Sequence, residues 1–128
     1  MKGQKQSIRL VGIDTPEKSR KKGQPVQPYS QKATKFLAGM VLNHDVSIET
    51  YWKDLYGRIL GVVYSGKTNV NLELVRNGYA EVYRGRPARN FDNDPYLEAE
   101  TKARSEGLNI WSLGDDYVSP REWRRKKK

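Results

Sequence analysis

The sequence predicts an α+β domain, a small β-barrel flanked by three helices, from two repeating patterns and from its length. Short runs rich in β-branched and aromatic residues alternate apolar and polar positions, as expected of half-buried strands. Other segments place apolar residues every three or four positions, which is the period of an amphipathic helix. The chain has 128 residues, a length that fits one domain with a single core. We therefore expect short meandering strands and packed helices in one unit.

The first strand is expected at residues 8–13, where Arg9 faces away from its apolar neighbours. Pro16 ends this strand because proline has no amide proton for a ladder hydrogen bond. The following segment, residues 18–28, is cationic and rich in proline and glycine, which predicts an exposed loop.

The middle of the chain predicts a helix followed by a hairpin. The helix spans about residues 30–42, with Ser30 as its expected N-cap. Its apolar side chains recur at the helical period: Ala33, Phe36, Leu37, Met40 and Val41. Strands at residues 46–51 and 58–64 flank a turn at 53–57, so we expect them to pair as an antiparallel hairpin.

The second half of the chain predicts two more helices and a short strand. A short helix at residues 69–77 is ended by Gly78, and a strand at residues 79–83 follows. The last helix carries the clearest signals, because Asp94 can cap its start and Gly107 ends it.

The charge balance is strongly basic. The chain has 24 Lys and Arg against 15 Asp and Glu, a net charge of +9, and residues 121–128 hold six of these cations and one acid. Such an excess favours anionic partners, chiefly nucleic acid or anionic lipid, although a solvated tail without function explains it equally well.

The absence of cysteine excludes disulfides and thiolate metal sites, and a single histidine, His44, excludes a multi-histidine zinc site. No apolar run approaches the roughly 20 residues of a membrane span, and the polar start lacks the apolar region of a signal peptide, so the compartment stays undetermined.

The residues with the clearest chemistry lie at the end of the first strand. Arg9, Asp14 and Glu17 fall within nine residues, and the two carboxylates are separated by a Thr-Pro turn. Oxygen ligands so placed can hold Ca²⁺, or leave one carboxylate free to act on a metal-bound water, while the arginine binds phosphate oxygens. The spacing alone favours a simpler interpretation, a capped turn with a surface salt bridge.

Four ordered motifs resemble the staphylococcal nuclease (thermonuclease) family over about residues 3–112. They are Arg9–Glu17 (RLVGIDTPE), Asp54–Arg58 (DLYGR), Val70–Ala80 (VNLELVRNGYA), and the stretch from Glu98–Glu100 to Leu108–Trp111 (LNIW). Four motifs in the family's order are far more specific than any one of them.

The resemblance implies an OB-fold barrel with three helices and a Ca²⁺-dependent nuclease site. By that similarity Asp14 and the backbone carbonyl of Thr15 bind the metal, and Glu17 holds or activates the attacking water. Arg9 and Arg58 then bind the phosphate and stabilise the charge of the transition state, as fixed guanidinium groups can.

Two tyrosines are candidates for substrate binding. Tyr56 and Tyr83 can stack on a nucleotide or donate a hydroxyl to phosphate, although each also fits a half-buried barrel aromatic. We expect a nuclease-like domain at residues 1–112 and a basic C-terminal tail at residues 113–128.

The chain departs from the family pattern at two places. Leu55 stands where family members commonly carry a basic residue. Residues 1–4 resemble the turn before the family's third strand, so we expect a barrel lacking about two of its five strands. A metal-binding Asp on those strands would then be missing as well. The open edge would be relieved by strand exchange in a homodimer or by residues 1–7 partly capping the barrel.

The leading functional prediction is a Ca²⁺-dependent nuclease that hydrolyses phosphodiester bonds of DNA, RNA or both. The alternative is a nucleic-acid-binding OB-fold module with weak or no catalysis. A third interpretation is a truncated product that folds poorly or only with a partner. The joint presence of Arg9, Asp14, Glu17 and Arg58 favours the enzyme, since binding alone needs no such set.

Overall fold

Six strands and four α-helices make up the part of the chain that the computed structural model describes, residues 7–18, 23 and 25–126. Their bounds are Ser7–Leu10 (β1), Ile13–Asp14 (β2), Ser30–Val41 (α1), Val46–Lys53 (β3), Arg58–Ser65 (β4), Thr68–Asn69 (β5), Val70–Arg76 (α2), Glu81–Val82 (β6), Asp94–Ser105 (α3) and Pro120–Lys126 (α4). A 3₁₀ segment, Asn109–Asp116, precedes the last helix and is kinked at Gly114. Within the described ranges, no helix is both long and apolar enough to cross a membrane.

The main sheet is built around β4. Strand β1 pairs with it in parallel, and β3 and β5 pair with it antiparallel, so the predicted β3–β4 hairpin is confirmed. The sheet does not close into a barrel within the described residues, because β1, β3 and β5 each pair only with β4. Strand exchange and capping of the open edge stay predictions, and residues 1–6 lie outside the described residues.

The prediction of one continuous strand over residues 8–13 is wrong, because the chain turns at Val11 and Gly12. Gly12 has a positive φ of 81°, and a Cβ atom there would lie 2.3 Å from the ring of Phe91. Glycine therefore allows both the turn and the close approach of the ring. After the turn, β2 leaves the main sheet and pairs with β6, which carries Asp14 to a separate two-stranded sheet.

Two expected helix caps are also wrong. The N-cap of α1 is Tyr29, with a positive φ of 74°, and the Ser30 hydroxyl is buried inside the first turn without a hydrogen-bond partner. Asp94 is the first residue of α3 rather than its cap, and Asn93 precedes it. Neither N-cap side chain makes a capping bond, but at α3 the Asp92 carboxylate accepts a hydrogen bond from the Asp94 amide at 3.1 Å.

The core is held together by α2 and a buried asparagine at its start. Asn71 is fully buried, and its side-chain oxygen accepts a hydrogen bond from the Val63 amide at 3.1 Å. Its side-chain nitrogen donates to the carbonyls of Val11 at 3.0 Å and Gly61 at 3.2 Å. These bonds join the helix to β4 and to the turn that leads into β2. The geometry of the Asp14 segment therefore depends on the core directly beneath it.

Candidate active site

Asp14 and Glu17 lie at one cavity of about 430 Å³. Pairing of β2 with β6 fixes the backbone of Asp14 opposite Glu81, and the Asp14 side chain is almost wholly buried. Thr15 and Arg9 line the same cavity. The structure therefore brings together four of the residues that the sequence singled out, three of them with oxygen atoms and one with a guanidinium group.

A buried glutamine, Gln27, fixes the position of Glu17. The side-chain oxygen of Gln27 accepts a hydrogen bond from the Glu17 amide at 2.9 Å, and the Gln27 amide donates to the Glu17 carbonyl at 3.0 Å. The side-chain nitrogen of Gln27 donates to the Val118 carbonyl at 2.7 Å. These bonds close the loop between the two residues and attach it to the C-terminal segment. The sequence carries no signal for this role, since a glutamine between two prolines has the pattern of an exposed loop.

Arg124 of α4 reaches the same cavity from the other end of the chain. Its Nη1 and Nη2 donate to the two carboxylate oxygens of Asp14 at 3.0 and 2.9 Å, and Nη1 lies 3.6 Å from a Glu17 oxygen. This two-pronged arrangement is the strongest form of an arginine–carboxylate pair. The hydrogen bonds to Asp14 raise the pKa of Arg124 above its ordinary value.

Residues 113–126 pack against the domain, although the proposed division at residue 112 stays a prediction. Pro120 is buried, and the Tyr117 hydroxyl donates to Glu81. The sequence interpretation missed α4 because its basic run is typical of a solvated tail. One signal was available: Ser119 followed three residues later by Glu122 is a helix-start pattern, and the Glu122 amide donates to the Ser119 hydroxyl at 3.1 Å.

A second cavity, of about 420 Å³, shares Arg9 with the first. Arg58 and Arg86 also line it, together with the aromatic side chains of Trp52 and Tyr83. No carboxylate is among its described lining residues. A cavity with three guanidinium groups and two aromatic rings has the chemical character of a surface that binds single-stranded nucleic acid.

A bulge in β3 sets the position of Trp52 in this cavity. Thr50 pairs with Gly61 and Trp52 pairs with Leu60, so the residue between them has no partner in the register. Leu60 also pairs with Arg9 on its other side. Because partners on neighbouring strands share a face of the sheet, Trp52, Leu60 and Arg9 form one row across three strands.

The turn before β4 places Arg58 and Tyr56. Asp54 accepts hydrogen bonds from the amides of Tyr56 at 2.8 Å and Arg58 at 2.9 Å, and it also pairs with the Arg58 guanidinium group. Tyr56 is 85% exposed, and its ring centre lies 5.8 Å from the Arg58 guanidinium carbon. Tyr83 instead lines the second cavity, with its ring centre 5.6 Å from the guanidinium carbon of Arg9. The two tyrosines therefore stand beside the two arginines, one inside the cavity and one outside it.

The donor atoms at the first cavity are oxygens, the type that a hard divalent cation prefers, but they are fewer than such a cation usually binds. Carboxylates and a backbone carbonyl are the ligands that Ca²⁺ prefers, and Asp14, Thr15 and Glu17 can supply them. In the part of the chain that the structure describes, no three acidic or histidine side chains are grouped closely enough to form a metal centre. Both oxygens of Asp14 are in addition engaged by Arg124.

Behind Asp14 lies a buried acidic pair, Glu81 and Glu100. Glu81 accepts from the Tyr117 hydroxyl, and Glu100 accepts from the Val82 amide at 2.7 Å and from Arg84 at 2.9 Å. Burial raises the pKa of Glu81, and the negative charges of Glu100 and Asp14 add to this rise. Glu81 is therefore easier to protonate in the folded protein than in the unfolded chain.

We expect the free energy of unfolding of Glu81→Gln, relative to that of wild type, to be higher at about pH 7 than at about pH 4. Because the pKa of Glu81 in the folded protein lies above the ordinary value of 4.5, the native state binds more protons than the unfolded chain in this range. The stability of the wild-type protein therefore falls as the pH rises through that pKa. The glutamine cannot ionise and does not show this loss. Thermal unfolding across this pH range measures the difference, with the exposed Glu98→Gln as control. A difference between wild type and Glu81→Gln that does not change with pH would contradict the raised pKa.

Comparisons with known proteins place the chain in a family. The family model described as "Staphylococcal nuclease homologue" matches residues 7–113. The chain belongs to the staphylococcal nuclease family. This confirms the resemblance and the predicted fold class, an α+β domain of OB-fold type.

Curated relatives of this nuclease family are similar over most of the chain. An uncharacterized endonuclease from Haemophilus influenzae is 37% identical over 122 residues, 94% of this chain and 61% of the relative. A probable endonuclease from Komagataella phaffii is 35% identical over 92% of this chain and 54% of the relative. One from Candida tropicalis is 37% identical over 92% of this chain and 52% of the relative. The chain thus spans between about half and three fifths of these relatives' length.

Proposed function

We propose that this protein hydrolyses phosphodiester bonds of nucleic acid. The observation that carries the proposal is the shared Arg9, which lines both the acidic cavity of Asp14 and Glu17 and the cationic, aromatic cavity beside it. A phosphate bound at Arg9 would lie between the carboxylates of the first cavity, where hydrolysis would occur, and the second cavity, which would bind the rest of the strand. The relatives named endonucleases support the same activity.

Arg9 and Arg58 are proposed to bind the scissile phosphate and to stabilise the charge that develops during attack. Both line the second cavity, and each is held by a neighbour: Arg9 by the ring of Tyr83, and Arg58 by Asp54. Groups held in place before the reaction lose little free energy on reorganisation, so their electrostatic effect on the transition state is large. The planar fork of a guanidinium group also matches two phosphate oxygens, which lysine cannot do.

Glu17 is proposed to hold and deprotonate the attacking water. Its side chain is 30% exposed at the acidic cavity, and Gln27 fixes its backbone. Asp14 and the Thr15 carbonyl are proposed to hold Ca²⁺, which when bound would neutralise phosphate charge and polarise the reacting oxygens. The protein's own part is to orient the carboxylates and to keep Glu17 facing the phosphate.

The second cavity and the nearby Tyr56 are proposed to bind the strand that carries the scissile phosphate. Trp52 and Tyr83 offer faces for base stacking, and Arg86 offers a further phosphate contact. Such contacts do not depend on base identity, so we propose single-stranded DNA or RNA as substrate, without a strong sequence preference.

One observation favours the alternative, a binding module with little or no turnover. Arg124 engages the carboxylate that the nuclease mechanism needs, and a protein that only binds nucleic acid would have no use for a free Asp14. Binding to single-stranded DNA is expected in both cases, so only a cleavage assay separates them.

A cleavage assay tests the proposal. Purified protein should cut single-stranded DNA in the presence of Ca²⁺ and should be inactive in EDTA. Labelled DNA and RNA of the same sequence, resolved on denaturing gels, would show the products and any preference between the two. Full activity in EDTA would exclude the metal-dependent mechanism, and binding without cleavage under any condition would favour the binding module.

Glu17→Gln is expected to lower turnover by on the order of 10²-fold or more while substrate binding changes little. The amide keeps the size of the side chain but cannot accept the proton of water. The matched control is Glu98→Gln on the exposed face of α3. Single-turnover cleavage and DNA affinity should be measured together for both variants. A Glu17→Gln enzyme with the wild-type rate would remove Glu17 from the mechanism.

A further inference from the structure

One cation already lies against the acidic cavity, and the chain itself supplies it. The guanidinium group of Arg124 binds both oxygens of Asp14 and lies 3.6 Å from Glu17. The Asp14 side chain is only 8% exposed and that of Arg124 is 37% exposed, so the pair is shielded from water mainly on the aspartate side. Arg9 lines the same cavity, so its two carboxylates are balanced by two arginines, and Arg124 is the one that pairs with Asp14.

We propose that Arg124 is an internal counter-cation that holds Asp14 when no metal is bound, and that Ca²⁺ binding at Asp14 displaces it. This inference rests on the proposed role of Asp14 as a metal ligand. A divalent ion bound to the same carboxylate would stand a few ångströms from the guanidinium group, in a cavity where water screens charge poorly. Like charges at that distance repel strongly, so the two cations compete for Asp14.

The attachment of the C-terminal segment allows such a displacement. Three firm contacts lie at or before the first residue of α4: the Tyr117 hydroxyl donates to Glu81, Gln27 donates to the Val118 carbonyl, and Pro120, which begins the helix, is buried. Beyond them, the described basic side chains of α4 other than Arg124 are exposed: Arg121, Arg125 and Lys126. Release of Arg124 from Asp14 therefore need not break these three contacts, and α4 also carries the half-buried Trp123.

Competition must act in both directions. If Arg124 weakens the binding of Ca²⁺, then Ca²⁺ weakens the contact of Arg124 by the same factor. Metal binding should thus loosen α4, and removal of the guanidinium group should strengthen metal binding. If Arg124 instead kept Asp14 oriented for the metal, both effects would have the opposite sign.

The test is calorimetric titration with Ca²⁺ alone, without nucleic acid, on the full chain. Arg124→Gln should bind Ca²⁺ about tenfold more tightly than wild type, because its carboxylate is free in every molecule. Arg125→Gln, which removes the same charge from an exposed position of the same helix, should bind like wild type. Arg124→Lys keeps the charge but loses the fork, so its affinity should fall between the two. Asp14→Asn should bind more weakly than all of them.

Hydrogen exchange gives a second readout that does not depend on activity. Saturating Ca²⁺ should accelerate exchange of the α4 amides in wild type and have little effect on them in Arg124→Gln. Equal or weaker Ca²⁺ binding by Arg124→Gln, or no binding at all, would overturn the proposal. Tighter binding by Arg124→Gln in a protein that cuts no DNA would support the competition and refute the proposed nuclease activity, so the two failures can be told apart.

Discussion

Asn71→Ala is expected to lower the free energy of unfolding by at least about 2 kcal/mol. The side chain is fully buried and is the hydrogen-bond partner of three backbone groups: the Val63 amide and the carbonyls of Val11 and Gly61. Alanine removes the partner of the Val63 amide and of the Val11 carbonyl, whereas the Gly61 carbonyl still accepts from the Val11 amide at 2.9 Å. Each buried polar group left unpaired costs about 1–3 kcal/mol, which is a large part of the roughly 5–15 kcal/mol that stabilises a domain.

Chemical denaturation of two further variants separates this explanation from a general effect of losing an asparagine. Asn71→Asp keeps an acceptor for the Val63 amide but turns a carboxylate oxygen toward two carbonyls, so it should be at least as destabilising as alanine. Asn77→Ala is the control, because that side chain is half-buried and makes one hydrogen bond, to the Glu73 carbonyl at 2.9 Å. Equal losses in Asn71→Ala and Asn77→Ala would show that the three-way bonding contributes little.

Arg58→Lys is expected to lower turnover by on the order of 10²-fold or more while the protein stays folded. Lysine keeps the charge but replaces the planar fork by a compact ammonium group, so it cannot form two parallel hydrogen bonds to the phosphate oxygens. The change lies on the surface, since the Arg58 side chain is 68% exposed. Arg9→Lys should have a similar effect, because Arg9 joins the two cavities.

The structure offers a way to separate catalysis from support of the turn. Arg58 pairs with Asp54, so a purely structural arginine would show a lowered melting temperature in Arg58→Lys and a cleavage rate near that of wild type. Arg76→Lys is the matched control, because Arg76 is exposed on α2 and pairs with Glu73 at 3.2 Å. Single-turnover rates and melting temperatures of the three lysine variants, measured side by side, distinguish a catalytic role of Arg58 from a structural one.

Local pattern predicted much of the architecture. The apolar period indicated α1, and the signals at Asp94 and Gly107 indicated α3, each within a few residues of the observed ends. The turn at Asp54–Gly57 indicated the β3–β4 hairpin. The motifs around Arg9 and Asp14 indicated the family, which the family model confirms. These predictions succeed because periodicity, turn residues and short motifs depend on neighbours along the chain.

The features that define the candidate site needed the tertiary structure, because they join residues far apart in the sequence. Arg124 and Asp14 are 110 positions apart, and Gln27 meets Val118 at a separation of 91. Neither contact produces a recognisable pattern in the sequence. A basic run is typical of a solvated tail, and a glutamine beside proline is typical of a loop. The sequence by itself determined the family, the order of the longer elements from α1 to α3, and the candidate residues. Only the folded chain decided which charges meet at Asp14, since burial and electrostatic pairing depend on distance in space rather than on spacing along the chain.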